Sequence, residues 1–492
     1  MLSAAITGVT AHPVTVEVCC HQGIPSDVVV GLPDIVIKES RSRVKAAIRH
    51  AGYQYPAKVV TVNLAPAELK KEGPFFDLPI ALGILQASGQ VNESPRMLAV
   101  GELALSGEVR SVRGIVSVAL MAKQLGILTL LIPQANVAEA CLVSGLTLVG
   151  VHTLQDAIGY INGTWFPSNP PAIELTTPED IGDFCDVRGQ WAAKRALEIA
   201  AAGGHNILLV GPPGIGKTML LKRIPSVLPP MSDQEVLESI QIQALHRSKK
   251  PIFSRFRPFR SPHHTISFAG LVGGGSIPVP GEISLAHHGV LFLDELPEFP
   301  KPILELLRQP LEDQTISVNR AAGAVVFPAN FMLVVAMNPC PCGYLGDPSI
   351  RCRCSQRDIA RYQARLSGPL LDRIDLMIEV ARPSGHEWAT PDLPGSELAS
   401  SAIRDRVEKA RFLQVQRGHL NARLSSRLLL KLPIEDSANQ LLVSLMSRGL
   451  LNGRRHDKAL RIAQTIVDLE GGSMITAQHL GEALGYRFKF FE

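Results

Sequence analysis

This sequence has no apolar stretch of membrane-spanning length. A spanning helix needs about 20 apolar residues, and every run here meets a charge or a breaker first; Lys123 interrupts the best candidate. Early basic residues are missing too. The first is Lys38, which predicts that no secretory leader opens the chain. There is no repeat of fixed period and no low-complexity tract, which removes solenoids and biased tails from consideration. Net charge is almost absent: 49 Lys and Arg against 45 Asp and Glu leave +4, a balance that does not mark the whole chain as a nucleic-acid binder. Cysteine is sparse and uneven. Four of the eight fall within residues 340–354, which argues against a disulfide framework, predicts a cytoplasmic location and requires a metal or thiol reading of the cluster.

Hydrophobic residues make up 46% and charged residues 19% of the 492, so a large core is available and global disorder is excluded. The length predicts about three domains. Charge is unevenly spread. Residues 1–165 hold 12 basic and 12 acidic residues, whereas residues 239–281 hold six basic ones (Arg247, Lys249, Lys250, Arg255, Arg257, Arg260) and no acid. A Pro-rich stretch, Phe166 to Pro171 and then Pro178, marks a linker over 166–185. Before it, β-rich runs (Val14–Val18, Val28–Gly31, Val59–Val62) alternate with helical patterns such as Ser40–Ala51, predicting an α/β domain over 1–165. After it, an amphipathic helix, Gln190–Ala202, stops at Gly203-Gly204, and a buried strand, Ile207–Val210, follows. Residues 186–390 read as a second α/β domain. Residues 391–492 read as helical, over Leu398–Gln416, Ile434–Arg448, Arg454–Leu469 and Thr476–Leu484.

Gly211-Pro212-Pro213-Gly214-Ile215-Gly216-Lys217-Thr218 fits the P-loop pattern in full, after a strand and before a helix. Its glycines let backbone N–H groups wrap phosphates. Lys217 is expected to reach the β/γ-phosphates of ATP and Thr218 to hold Mg²⁺. Val290-Leu-Phe-Leu-Asp294-Glu295 is a second buried strand ending in two carboxylates. Asp294 suits the Mg²⁺ site, and Glu295 suits a base that polarises the attacking water. A third strand, Phe331–Met337, ends in Asn338, which either orients water at the γ-phosphate or simply turns the chain before Pro339.

These motifs, with Asp186-Val-Arg-Gly-Gln190 and Arg365-Leu-Ser-Gly-Pro-Leu-Leu-Asp-Arg373-Ile-Asp375, resemble the ComM/YifB family in the magnesium-chelatase-like branch of the AAA+ ATPases, over essentially the whole chain. The resemblance implies an AAA+ P-loop α/β core with a helical C-terminal lid. It makes Asn338 sensor 1, Arg373 an arginine finger acting on a neighbouring subunit's ATP, and Arg454 sensor 2, with Arg455 a close competitor. Without it, Arg373 reads as a surface ion-pair partner of Asp372 or Asp375. A finger supplied in trans implies a ring, a homo-hexamer. The N-terminal domain resembles the Lon protease domain, a ribosomal S5 domain 2-like fold, through Lys71-Glu-Gly-Pro-Phe75-Phe-Asp77, Gly101–Val109 and Gly126–Pro133. Those anchors put Phe75 at the nucleophilic Ser position and Val116 at the activating Lys position. Neither offers a hydroxyl or an amine, so a scaffold or binding module is expected rather than a peptidase.

Three basic features are candidate DNA contacts. In the acid-free segment, Arg255, Arg257 and Arg260 interleave with Phe253, Phe256 and Phe259, fitting single-strand binding by charge and stacking; the plain alternative packs the rings inside and turns the arginines to solvent or a neighbour. The glycine-rich stretch Gly270–Gly281 that follows reads as a flexible insert. Thr315–Val326 reads as a hairpin with Arg320 near its tip. Arg353, Arg357, Arg361 and Arg365 at four-residue spacing read as one helical face. Cys340-Pro-Cys342 and Cys352-Arg-Cys354 could close a structural Zn²⁺ site or remain four reduced thiols. The leading expectation is a ring-forming Mg²⁺-ATP-dependent DNA motor. Family resemblance adds branch migration of recombination intermediates in natural transformation, on single-stranded or branched DNA beside recombination proteins, with no membrane partner. A magnesium chelatase ATPase subunit and a non-motor ATP-controlled scaffold are the alternatives.

Overall fold

Val59–Ala65 alternates buried and half-buried side chains along its length, the period-2 pattern of a strand with one face on a core. It sits near one edge of a mixed seven-stranded sheet. The order is Ser26–Val30, Val59–Ala65, Thr10–His21, Leu2–Thr7, Met97–Ala99, Thr129–Pro133 and Thr147–Val151. Thr10–His21 pairs antiparallel with both neighbours, while Met97–Ala99, Thr129–Pro133 and Thr147–Val151 run parallel. Helix Asp77–Ala87 buries every residue from Asp77 to Leu85, as an all-round apolar helix must. The computed structural model describes residues 1–71, 73–93, 96–168, 181–246, 253–275, 278–320, 323–382 and 396–486.

The chain divides into two compact units, Met1–Thr176 with Asp233–Phe253, and Thr177–Ser232 with Ser254–Glu492. The first takes in a segment that the sequence places inside the second α/β domain. Helix Asp233–Leu245 buries Val236, Ser239, Ile240, Ile242 and Ala244. Within the first unit its Gln241 Nε2 donates to Ser117 Oγ at 3.1 Å, and Ser117 Oγ donates to Val9 O at 2.7 Å.

The second unit is built on five parallel strands in the order Phe259–Arg260, Val290–Leu293, Met332–Met337, Ile207–Val210 and Leu376–Glu379. The apolar runs of its three inner strands reflect burial on both faces. Ile207 lies beside Val334 on one side and Leu376 on the other, so the P-loop strand is an inner one. Helices Trp191–Gly203, Ser400–Gln416 and Gly453–Glu470 share one hydrophobic core with this sheet, from Phe184 through Ile199, Val334, Val407 and Ile466. Each fully buried Leu or Ile in it contributes roughly 1.5–3 kcal/mol. Helix 191–203 ends at Gly204. Its last carbonyls are taken up by the next helix over: Arg411 donates to Ala201 O at 2.7 Å and Gln414 to Ala202 O at 3.1 Å, satisfying acceptors that the helix itself leaves open.

Several elements differ from the sequence reading. The first helix begins earlier, at Ile35 after an Asp34 cap whose side chain accepts from Ile37 N. The Gly270–Gly281 stretch is partly ordered, as helix Phe268–Val272 and the antiparallel pair Gly273–Gly274 with Val279–Pro280. Of the four-residue arginine stripe, only Arg357 and Arg361 lie on helix Gln356–Gln363. The linker's last residues are not a spacer, because Phe184 is fully buried and Phe184–Asp186 forms a 3₁₀ turn; residues 169–180 lie outside the described ones. Among the described residues no helix is long and apolar enough to cross a membrane.

Candidate active site

The three motifs meet because their strands are neighbours. Strand Met332–Met337 is hydrogen-bonded to the P-loop strand on one side and to Val290–Leu293 on the other. The chain leaves Val210 at Gly211, whose N donates to Met337 O at 3.2 Å; a Cβ there would collide with the Val380 carbonyl, so the exit tolerates only glycine. Lys217 is 8% exposed. Its Nζ donates to Gly211 O at 2.6 Å, Pro212 O at 2.7 Å and Asn338 Oδ1 at 3.2 Å. Burial pulls this amine down to about 8, with the Asp294 and Glu295 carboxylates pulling the other way. Thr218 Oγ1 donates to Asp294 Oδ2 at 2.8 Å, and Asp294 Oδ1 accepts from Glu295 N at 3.0 Å. Glu295 is exposed, with φ +53°, a left-handed backbone that a non-glycine residue holds only at a cost of about 1–2 kcal/mol. A hydroxyl beside a carboxylate is the all-oxygen donor set that suits Mg²⁺, and a free carboxylate one residue on can take a proton from water. Gln190 Nε2 ties the loop down at Ile215 O, 3.4 Å away, and reaches Ala381 O at 3.1 Å.

Arg373 and Arg454 converge on a different feature, the loop 372–375. Arg373 Nη1 donates to Pro369 O at 2.7 Å and its Nη2 pairs with Glu312. The ion pair expected with Asp372 or Asp375 is therefore made with Glu312, which sequence spacing gave no means of finding. Arg454 Nη1 lies 2.8 Å from Asp372 Oδ2 on an 80% exposed side chain. Arg455 N is bonded to the Asn452 cap.

The four clustered thiols come together. Sγ separations are 3.4 Å for Cys340–Cys342, 3.7 Å for Cys340–Cys352 and 3.6 Å for Cys342–Cys352, and Cys354 Sγ accepts from Cys342 N at 3.4 Å. A tetrahedral zinc with Zn–S bonds of about 2.3 Å sets its sulfurs about 3.8 Å apart, so the donor set and spacing fit that ion. All four donor atoms lie within 4.8 Å of one another. The loop also touches the nucleotide motif: Gly343, at φ +85°, lies so close that a Cβ would sit 2.6 Å from Pro213 Cδ.

Arg255, Arg257 and Arg260 of the acid-free segment each bond to other groups of the chain, Arg255 from an exposed position and the other two half-buried. Arg255 Nη1 donates to Met231 O at 3.4 Å. Arg257 donates to Pro229 O at 2.8 Å, His288 O at 2.8 Å and Pro230 O at 3.5 Å. Arg260 makes a two-pronged pair with Glu282 at 2.5 and 2.6 Å, and Phe259 stacks on Phe292 at 5.9 Å. Backbone carbonyls and a carboxylate hold these guanidinium groups in this structure. Arg247, Lys249 and Lys250 lie outside the described residues. Arg320 pairs with Gly323 in the hairpin Thr315–Arg320 with Gly323–Pro328, and its side chain lies outside the described ones. In the N-terminal unit Val116 is fully buried, Phe75 is half-buried, and Lys71 is buried with its Nζ donating to Pro66 O.

A parallel sheet with a P-loop, two carboxylates and a polar strand end in adjacent positions defines a P-loop ATPase class, and the matched families narrow it. Residues 183–388 match the family described as magnesium chelatase, subunit ChlI, residues 16–136 that described as subunit ChlI of Mg-chelatase, and residues 397–487 the ChlI C-terminal family. The chain is 44% identical over 499 residues to competence protein ComM of Haemophilus influenzae, covering 99% of this chain and 96% of the relative. It is 44% identical over 491 residues to the YifB protein of Escherichia coli, covering 98% and 96%. A shorter match, 28% identity over 161 residues, covers 31% of this chain and 28% of Lon protease 2 of Bacillus subtilis. The chain belongs to the ComM/YifB family of magnesium-chelatase-like AAA+ proteins.

Proposed function

We propose that this protein is a ring-forming, Mg²⁺-ATP-dependent DNA motor, a helicase and branch-migration translocase that acts on recombination intermediates in natural transformation. It works in the cytoplasm as a homo-hexamer on single-stranded or branched DNA, beside recombination proteins. The observation that carries the ATPase reading is the convergence of Lys217, Thr218, Asn338 and Asp294 at the ends of three adjacent parallel strands. The 44% identity to a protein named for competence directs that ATPase toward DNA.

In this reading the loop Gly211–Lys217 cradles the phosphates of the substrate ATP, and Lys217 meets the β/γ charge. Thr218 and Asp294 would hold Mg²⁺, which would supply charge neutralisation at the transferred phosphoryl group. Glu295 accepts the proton of the attacking water, and Asn338 orients that water. Arg373 reaches a neighbouring subunit's phosphates, and Arg454 reports lid position. Residues 1–165 serve as a Lon-like scaffold without peptidase chemistry, residues 186–390 as the motor core and residues 391–492 as its lid. Cys340, Cys342, Cys352 and Cys354 would hold a structural zinc, which would stiffen the loop between Asn338 and Arg373.

The test is ATP hydrolysis and four-way junction unwinding by wild type and Glu295→Gln. The wild type is expected to hydrolyse ATP faster with junction DNA and to displace strands. The Gln variant should bind ATP yet lose about 100-fold or more in turnover, together with displacement. Hydrolysis that ignores DNA would favour a chelatase subunit, and no hydrolysis at all would favour a scaffold.

A further inference from the structure

Four successive residues of the arginine-finger loop are held from two places, Asn206 and helix Gly453–Glu470. Asp372 takes the Arg454 guanidinium at 2.8 Å. The Arg373 carbonyl accepts from Asn206 Nδ2 at 2.8 Å. The Ile374 carbonyl accepts from Lys458 Nζ at 2.7 Å. Asp375 accepts from Asn206 N at 3.2 Å through Oδ2, and the N–H groups of Asp375 and Leu376 donate to Asn206 O at 3.0 and 3.1 Å.

Asn206 is the common member. It is 9% exposed and sits directly before the P-loop strand Ile207–Val210. Its side-chain oxygen accepts from Leu333 N at 2.8 Å, at the start of the strand that ends beside Asn338. One amide therefore spends its donor on the finger loop and its acceptor on the sensor strand, from a backbone position continuous with the P-loop strand. The neighbouring His205 extends the brace: it is fully buried, its Nδ1 lies 3.4 Å from Asp375 Oδ2, and its Nε2 is 2.8 Å from Thr465 Oγ1 on helix Gly453–Glu470. That helix also carries Arg454 and Lys458, and a cleft of about 200 Å³ opens where it faces the loop.

We propose that Asn206 is a positioning residue that sets Arg373 for its neighbour according to the state of its own subunit's nucleotide site, with Lys458 as the second anchor of the same loop. This rests on the reading of Arg373 as a finger acting in trans. A change at the P-loop or at Asn338 moves strands that end on Asn206, and Asn206 holds the carbonyl of the finger residue itself. Helix Gly453–Glu470 imposes the lid's position on the next carbonyl. Buried hydrogen bonds of this kind transmit displacement because the packed interior does not yield, and a shift of about 1 Å at a catalytic group can cost a hundredfold in rate.

The test uses the full-length protein and mixed rings. Asn206→Ala and Lys458→Met are each expected to lower kcat about tenfold or more, with ATP affinity within about twofold of wild type. Mixing either variant with Glu295→Gln, itself inactive, should restore turnover, because the variant's intact site then receives Arg373 from a neighbour whose Asn206 and Lys458 are intact. An Asn206→Ala/Arg373→Ala double variant should be no slower than Arg373→Ala alone. Arg373→Ala with Glu295→Gln is the control. If that control is restored and Asn206→Ala and Lys458→Met are not, the positioning role is overturned and the finger stands. If the control is not restored, the finger reading fails and the inference with it. Lys458 anchors the loop from a different element, helix Gly453–Glu470, so a folding defect in Asn206→Ala, seen as a lowered melting temperature, leaves the test in place.

Discussion

Lys217 is pulled down to about 8 by burial, against the opposing pull of Asp294 and Glu295. An amine whose folded value lies below its unfolded one leaves the native chain with fewer protons over that interval. Native stability therefore rises with pH between about 8 and the ordinary lysine value, and the penalty is fully present below about 8. Nucleotide reverses the sense, because phosphate oxygens favour the charged amine. Above about pH 8, ATP binding is expected to take up a proton and to weaken by up to about tenfold per pH unit. Calorimetry near pH 9 in two buffers of different ionisation enthalpy measures the uptake directly; none would mean that Lys217 does not meet the phosphates. Arg257 makes the opposite kind of prediction. Its bonds to Pro229, His288 and Pro230 carbonyls make Arg257→Ala destabilising by about 1 kcal/mol in chemical denaturation, since half-buried acceptors lose a charged donor. The salt dependence of DNA binding should not change. A slope reduced by about one would instead mark Arg257 as a phosphate contact.

Among the elements, those whose sequence carries its own local cause were legible. The strand Ile207–Val210 is an uninterrupted apolar run before a glycine-rich loop, and strand Val290–Leu293 is one before two carboxylates; both are four-residue buried strands. What escaped depends on partners far along the chain. Glu312 and Arg373 are 61 positions apart and Asn206 and Arg373 are 167 apart, and no periodicity reports such pairs. A polar residue immediately before an all-apolar strand was the one local sign at Asn206. In the basic segment, charge counting sees guanidinium groups but not the carbonyls and the carboxylate that they bond. Helix Asp233–Leu245 was assigned by adjacency in sequence, yet its buried Val236, Ile240 and Ile242 belong with the first unit. The cysteine loop gives the element-scale prediction. Its Sγ spacings of 3.4–3.7 Å predict about one zinc per chain by metal analysis, since four thiolates satisfy one tetrahedral ion. Cys352→Ser should lose that metal and lower the melting temperature. Because Gly343 of this loop lies against Pro213, it should weaken ATP binding as well. A trace of metal in untagged protein would remove the zinc reading and leave four thiols.

At the scale of the whole molecule, the question is whether one chain contains a complete site. The groups that converge on the P-loop are Lys217, Thr218, Asn338, Asp294 and Glu295, while Arg373 is held on Glu312 and Pro369 O. In the proposed reading the arginine that stabilises charge on the transferred phosphate comes from a neighbouring subunit, and repeating one heterologous contact around an axis closes a ring. Two inactive variants then carry complementary halves of a site. Arg373→Ala keeps its own Glu295, and Glu295→Gln keeps its own Arg373. In randomly mixed rings at equal amounts, a subunit fires when it is the first kind and its donor is the second, so about a quarter of sites work if they act independently. Mixing the two purified proteins under conditions that permit subunit exchange should therefore bring turnover from near zero to about a quarter of wild type. Placing both substitutions in one chain and mixing it with either parent should give no recovery. Activity that stays near zero in the first mixture, with exchange verified by labelled subunits, would mean that Arg373 serves its own subunit and that the ring is not required for chemistry.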